Sequence, residues 1–144
     1  MYSDMHHNTR FLPAISPVVN TDNTARVSAI LDMAGYEAAE FVLLTGAITD
    51  TGCSWVVLVE EGDASDLADN TAVADADMYG TEAGAQGDQT DDDTVYSIGL
   101  RVNGKRYKRV TVTPASVADG NLPLAAVWAV GAARKPPFTA QAET

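Results

Sequence analysis

The side chains able to do chemistry in this 144-residue chain are few, and their spacing does not suit catalysis. His6 and His7 are its two histidines, and both stand before Pro13 and Pro17, outside any periodic element that would orient a general base or a ligand pair. The single cysteine, Cys53, cannot close an internal disulfide and lies beside an apolar run, the place of a small core residue. G-x-S-x-G, P-loop, H-E-x-x-H and C-x-x-C patterns are missing, so nucleophilic, phosphate and zinc chemistry lack their required residues. Asp75, Asp77 and Gly80 resemble the opening of a calcium loop, but its fifth and twelfth positions hold Tyr79 and Gln86, where carboxylates are expected. Asp91, Asp92 and Asp93 form a like-charge run of the kind found in solvated turns. An acid pair for glycoside hydrolysis depends on a spatial separation that spacing does not reveal. The expectation is a protein that is not an enzyme and takes no cofactor or metal.

What remains is charge. The formal net charge is -11 at pH 7, and its distribution is uneven: residues 1–94 hold Arg10 and Arg26 against 18 acids, whereas residues 95–144 hold seven Lys and Arg against Asp119 and Glu143. An acidic molecule repels nucleic acid and anionic membrane, which excludes both as non-specific partners. Five of the late cations, Arg101, Lys105, Arg106, Lys108 and Arg109, gather around Asn103-Gly104, a pair that tolerates the positive φ of a two-residue type I′ turn. A hairpin on that turn sets Leu100 opposite Tyr107 and Ile98 opposite Arg109 on one face, with Arg101 opposite Arg106 and Gly99 opposite Lys108 on the other. Arg101, Arg106 and Lys108 then share a face near the tip, and Lys105 and Arg109 lie on the reverse. These five are the candidate protein-contact residues; the competing reading is a solvated charged edge that discourages strand pairing. On the contact reading, reversing Arg106 and Lys108 weakens attachment without unfolding the domain.

The elements that must position these residues are short strands. Residues 25–33, 41–48, 54–60, 94–102, 105–113 and 124–130 are rich in β-branched and aromatic side chains, and Gly35, Gly46, Gly52, Gly62, Pro114 and Gly120 separate them. Only residues 71–78 suggest a helix, with Asn70 as N-cap and Gly80 accepting the left-handed conformation, although a short strand also fits. The fold class expected is all-β, an antiparallel β-sandwich or jelly roll with at most one short helix. Residues 1–17 read as an extended arm, 18–135 as a single sandwich domain and 136–144 as a flexible tail. The start of the chain has no basic and apolar leader, and the apolar run at 55–59 is too short to span a bilayer, so the expectation is a soluble protein made inside the cell.

Four segments in order carry a resemblance: LDMAGYE at 31–37, EFVLLTGAITD at 40–50, VADADMYGTE at 73–82, and Ile98-Gly99 followed by KRYKRVTVT at 105–113. Across residues 15–136 the chain resembles small head-associated virion proteins of tailed bacteriophages, the capsid decoration or cement proteins. The resemblance implies a structural protein of the virion, made in the host cytoplasm and carried on the capsid surface. Its implied partners are the major capsid protein and copies of itself, commonly as trimers. Members of the family often have an apolar residue within K-R-Y-x-R, where this chain has Lys108. Such a protein would stabilise the shell by burying surface between neighbouring subunits. The alternatives are another head or tail structural protein, or a carbohydrate-binding sandwich using Trp55, Trp128 or Tyr79 as a sugar platform. Within apolar strands, Trp55 and Trp128 are expected in the core.

Overall fold

A computed structural model describes residues 4–101 and 104–131. A four-residue helix, Met5–Asn8 (α1), is capped by the Asp4 carboxylate, which accepts a hydrogen bond from the His7 backbone N–H. Strands then follow: β1 (Thr9–Asn20), β2 (Arg26–Val27), β3 (Leu31–Asp32), β4 (Ala38–Thr45), β5 (Ser54–Gly62), β6 (Thr71–Ala72), β7 (Met78–Tyr79), β8 (Gly87–Asp88), β9 (Val95–Leu100), β10 (Tyr107–Ala115) and β11 (Leu122–Gly131). One sheet has the order β1-β11-β4-β9-β7; the other runs β2-β10-β5-β6, with β3 also beside β10 and β8 beside β5. All of these pairings are antiparallel. The chain is an all-β antiparallel sandwich, as its alternating segments predict.

Strict alternation builds the interior. Phe41, Leu43, Ile98, Leu124, Ala126, Trp128 and Val130 point inward from the first sheet, and Trp55, Val57, Val59, Val110 and Val112 from the second. Trp128 meets Phe41 edge to face at 5.2 Å between centroids, and Trp55 meets Tyr96 across the sandwich at 5.8 Å. Each indole N–H is satisfied by a carbonyl: Trp55 donates to Ala85 and Trp128 to Ala29. Cys53 is fully buried, as expected of a small core residue.

The chain path departs from the sequence expectation at four places. The Asn103-Gly104 hairpin does not form: β9 belongs to the first sheet and pairs with β4 and β7, whereas β10 belongs to the second and pairs with β5. Asn103 itself lies outside the described residues. The better partner for β10 is β5, because the register puts Glu60 opposite Arg109 and Glu61 opposite Lys108, where a hairpin would offer Lys108 only Gly99.

Residues 25–33 do not make one strand. Arg26–Val27 and Leu31–Asp32 each touch β10, but between them the Ala29 N–H donates to Ala14 and the Ala29 carbonyl accepts from Trp128, so this stretch laces the two sheets together.

At 71–78, β6 and β7 flank a single 3-10 turn, Asp75–Asp77, in place of a helix. Asn70 donates its side-chain amide to the Leu67 carbonyl and Val73 donates its N–H to Val59, which ties both ends of the segment to other partners. Gly80 does take a positive φ of 88°.

The segment read as an arm carries most of an edge strand, since β1 pairs with β11 from Thr9 to Asn20. Register shifts follow Pro13 and Ile15, so bulges absorb the prolines while Ala14, Ile15 and Asn20 stay buried. The tail at 136–144 lies outside the described residues.

Candidate interaction surface

The five candidate contact cations do not form an exposed tip. Lys108 sits on the inward face of β10 with Val110 and Val112, only 2% exposed, and its ammonium is paired with Glu61. Arg109 points to the opposite face and donates to the Glu60 carboxylate from both Nε at 3.0 Å and Nη2 at 2.7 Å. Arg106 makes a two-pronged pair with Asp32, 2.8 Å on each side, which holds the Asp32 carboxyl below the usual carboxylate range. The Lys105 backbone N–H donates to Glu61. Arg101 lies 4.5 Å from the centre of the Tyr79 ring, and its buried Nε has no hydrogen-bond partner among the described residues. The predicted cluster is therefore dispersed, and three of its members tie the β10 region to β5 and β3. Because Asp32 and Arg106 are both well exposed, Asp32→Asn is expected to cost at most about 1 kcal/mol in urea unfolding, despite the good geometry.

The acidic stretch between β5 and β9 is also spent on structure. Glu82 accepts from the Val59 N–H, Asp69 from those of Asp63 and Ala64, Asp91 from Asp88, and Asp92 from Ile48. Asp75 and Asp77 sit in the 3-10 turn, and among the described residues no group of three or more His, Cys, Asp or Glu is arranged to hold a metal ion. His7 is engaged with Asp4. Trp55 and Trp128 are each 1% exposed, so neither serves as a sugar platform.

A surface that the charge pattern did not reveal lies on the outer face of the first sheet. The register aligns three cross-strand rows over β11, β4 and β9: Ala125–Leu44–Val95, Val127–Val42–Ser97 and Ala129–Glu40–Gly99. Glu40 is the one charged residue in these nine positions. Leu44, Val95 and Val127 are exposed, and on the neighbouring β1 so are Phe11 and Val19. The third row extends to Phe11 on β1 and to Tyr79 on β7, along an open groove of about 670 Å³ whose lining includes Glu40 and Arg101. Tyr79 is packed over Gly99, where a Cβ would lie 2.9 Å from the Tyr79 Cβ, so the small residue lets the two strands carry Tyr79 at this corner. A second apolar hollow, lined by Pro17, Val19, Leu44 and Pro123, continues the face toward the other end. An exposed apolar patch of this extent stands out on a molecule of charge -11. The visible signal in the sequence is that β4 and β11 are apolar on both parities.

Fold and surface together define a β-sandwich domain whose first sheet turns an apolar face outward, while Val27, Val56 and Leu58 are exposed on the second. No protein-family model matches the chain, and no curated protein matches it. Among solved structures, it is similar to the CBM22-1 and GH10 modules of the Clostridium thermocellum endo-1,4-beta-D-xylanase 10B complexed with xylohexaose, at 8% identity over 95% of this chain and 28% of that one, TM-score 0.37. It is also similar to a family two carbohydrate esterase from Cellvibrio japonicus, at 13% identity over 91% of this chain and 36% of that one, TM-score 0.27. The chain thus spans about a third or less of each, and likeness at this level carries no argument about function.

Proposed function

We propose that this chain is a capsid decoration protein of a tailed bacteriophage, a non-catalytic cement that binds the assembled head and stabilises it through contacts between subunits. The observation that carries this reading is the apolar outer sheet face, which is suited to burial against another protein. The ordered resemblance across residues 15–136 supports the major capsid protein as the partner in this reading. Stabilisation follows from linkage: a protein that binds only the assembled shell lowers the free energy of that state, and a symmetric lattice presents many equivalent sites at once. Quantitative mass spectrometry of purified virions tests it. The expected result is a copy number comparable to that of the major capsid protein; no copies, or only the number of a portal or tail-tip ring, would remove the decoration role.

Sugar binding is a second reading with one specific support, since Tyr79 is 62% exposed on the groove beside Arg101. A glycan array without binding disposes of it.

A further inference from the structure

We infer that the outer face of the β1-β11-β4-β9-β7 sheet docks face-on against an apolar protein surface rimmed by lysine and arginine side chains, one of which meets Glu40. The inference rests on the decoration reading for the partner's identity as a shell subunit, and adds which face is used and what chemistry receives it.

Area and charge carry the argument. Four strands about 4.8 Å apart, β1, β11, β4 and β9 with 12, 10, 8 and 6 residues, make a face on the order of 600 Å², enough for one side of a small specific interface. Its centre, Val127, Val42 and Leu44, is apolar, while Glu40 lies toward one end and the run Asp91 to Asp93 follows the other, next to Val95. The cation lining the groove with Glu40 is Arg101, which stacks over the Tyr79 ring at its corner, and the nine central positions hold no Lys or Arg. A partner that buries this face therefore gains most by presenting positive charge around an apolar middle.

Two other modes of association fit less well. Strand addition along β1 is opposed by Pro13 and Pro17, which remove two N–H donors from the edge and accompany its bulges. A second copy would press together two molecules of charge -11, each bringing Glu40 and no cation in its three central rows.

The test is the number of copies per virion for phage carrying Val127→Asp, Glu40→Lys or Val56→Asp. Val127 and Glu40 are exposed on the proposed face; Val56, 49% exposed, lies on the outer face of the other sheet. Val127→Asp is expected to lower occupancy about tenfold or more, because it buries an unpaired charge in the interface. Glu40→Lys is expected to lower it several-fold, and Val56→Asp to leave it within about twofold. Circular dichroism of each purified full-length variant verifies that it is folded, and Leu44→Asp replaces Val127→Asp should the latter fail that check. Wild type present at high copy together with undiminished Val127→Asp or Leu44→Asp would overturn the docking face alone. A wild-type dimer in solution that Val127→Asp makes monomeric would overturn the basic-rimmed partner in favour of a second copy. Absence of the wild type from virions would overturn the decoration reading and this inference with it.

Discussion

Lys108→Glu is expected to abolish the native fold, the largest effect of any single charge change in this domain. The Lys108 ammonium is buried between the sheets and pairs with Glu61, whose other contacts include the Lys105 N–H. Removing one partner of a buried pair costs about 3–5 kcal/mol, since the remaining charge, here the largely buried Glu61, is left without its counterion. Lys108→Ala should cost that much. Lys108→Glu adds a second buried carboxylate facing Glu61, and the sum approaches the whole stability of a domain this size, about 5–15 kcal/mol. This corrects the expectation that Arg106 and Lys108 can be reversed together without unfolding: Arg106 lies at the surface, and Lys108 does not. The pair itself is replaceable. Lys108→Met with Glu61→Leu should fold with a denaturation midpoint near or above the wild type, because burying apolar side chains avoids the desolvation penalty of both ions. Urea titrations followed by circular dichroism decide the matter; a Lys108→Glu protein within about 1 kcal/mol of wild type would refute the buried-pair account.

The same residue shows what could be read from sequence and what could not. Alternation located β4, β5, β10 and β11 to within about three residues at each end, because a half-buried strand must repeat apolar positions every second residue. It also put Lys108, Val110 and Val112 on one face, as they are. Which strand β10 pairs with was not legible from the local turn signal. Asn103-Gly104 favours a hairpin, but the acids that match Lys108 and Arg109 are Glu61 and Glu60, more than forty residues earlier in the chain. Long-range charge and packing decided the partner, and a search for an acidic strand complementary to the basic one would have found it. β1 was hidden for another reason: two prolines and two register shifts break its period, so it resembled an arm. The apolar outer face was visible only as an excess of apolar residues on the second parity of β4 and β11, a weaker signal than the clustered cations.

A second large effect is expected at Asp50, which closes the end of the sandwich where the loop after β4 meets the loop before β11. Its carboxylate is buried, 4% exposed, and accepts from the Gly52 N–H at 2.9 Å and from those of Ala118, Asp119 and Gly120 at 2.9, 3.0 and 3.1 Å. Hydrogen bonds from the Gly52 N–H first, then from Ala118 and its neighbours, hold its pKa down to about 2. An amide cannot replace it. In Asp50→Asn, either orientation sets the –NH₂ against at least one backbone N–H, so one of the two loops loses its acceptor. The thermal midpoint should fall sharply at pH 7. Since the folded pKa lies below the unfolded one, the carboxylate contributes its full stability above about pH 4 and loses it as pH falls toward 2. Wild type and Asp50→Asn should therefore differ most at neutral pH and converge in acid. Gly120→Ala is expected to break the same clamp from the opposite side, because a Cβ there would collide with the backbone of Thr49 and Asp50 rather than with a movable side chain. Thermal melts from pH 7 to pH 2 test both: a gap between wild type and Asp50→Asn that stays constant across that range would rule out the carboxylate as its source, and an unshifted Gly120→Ala midpoint would show that the loops separate without cost.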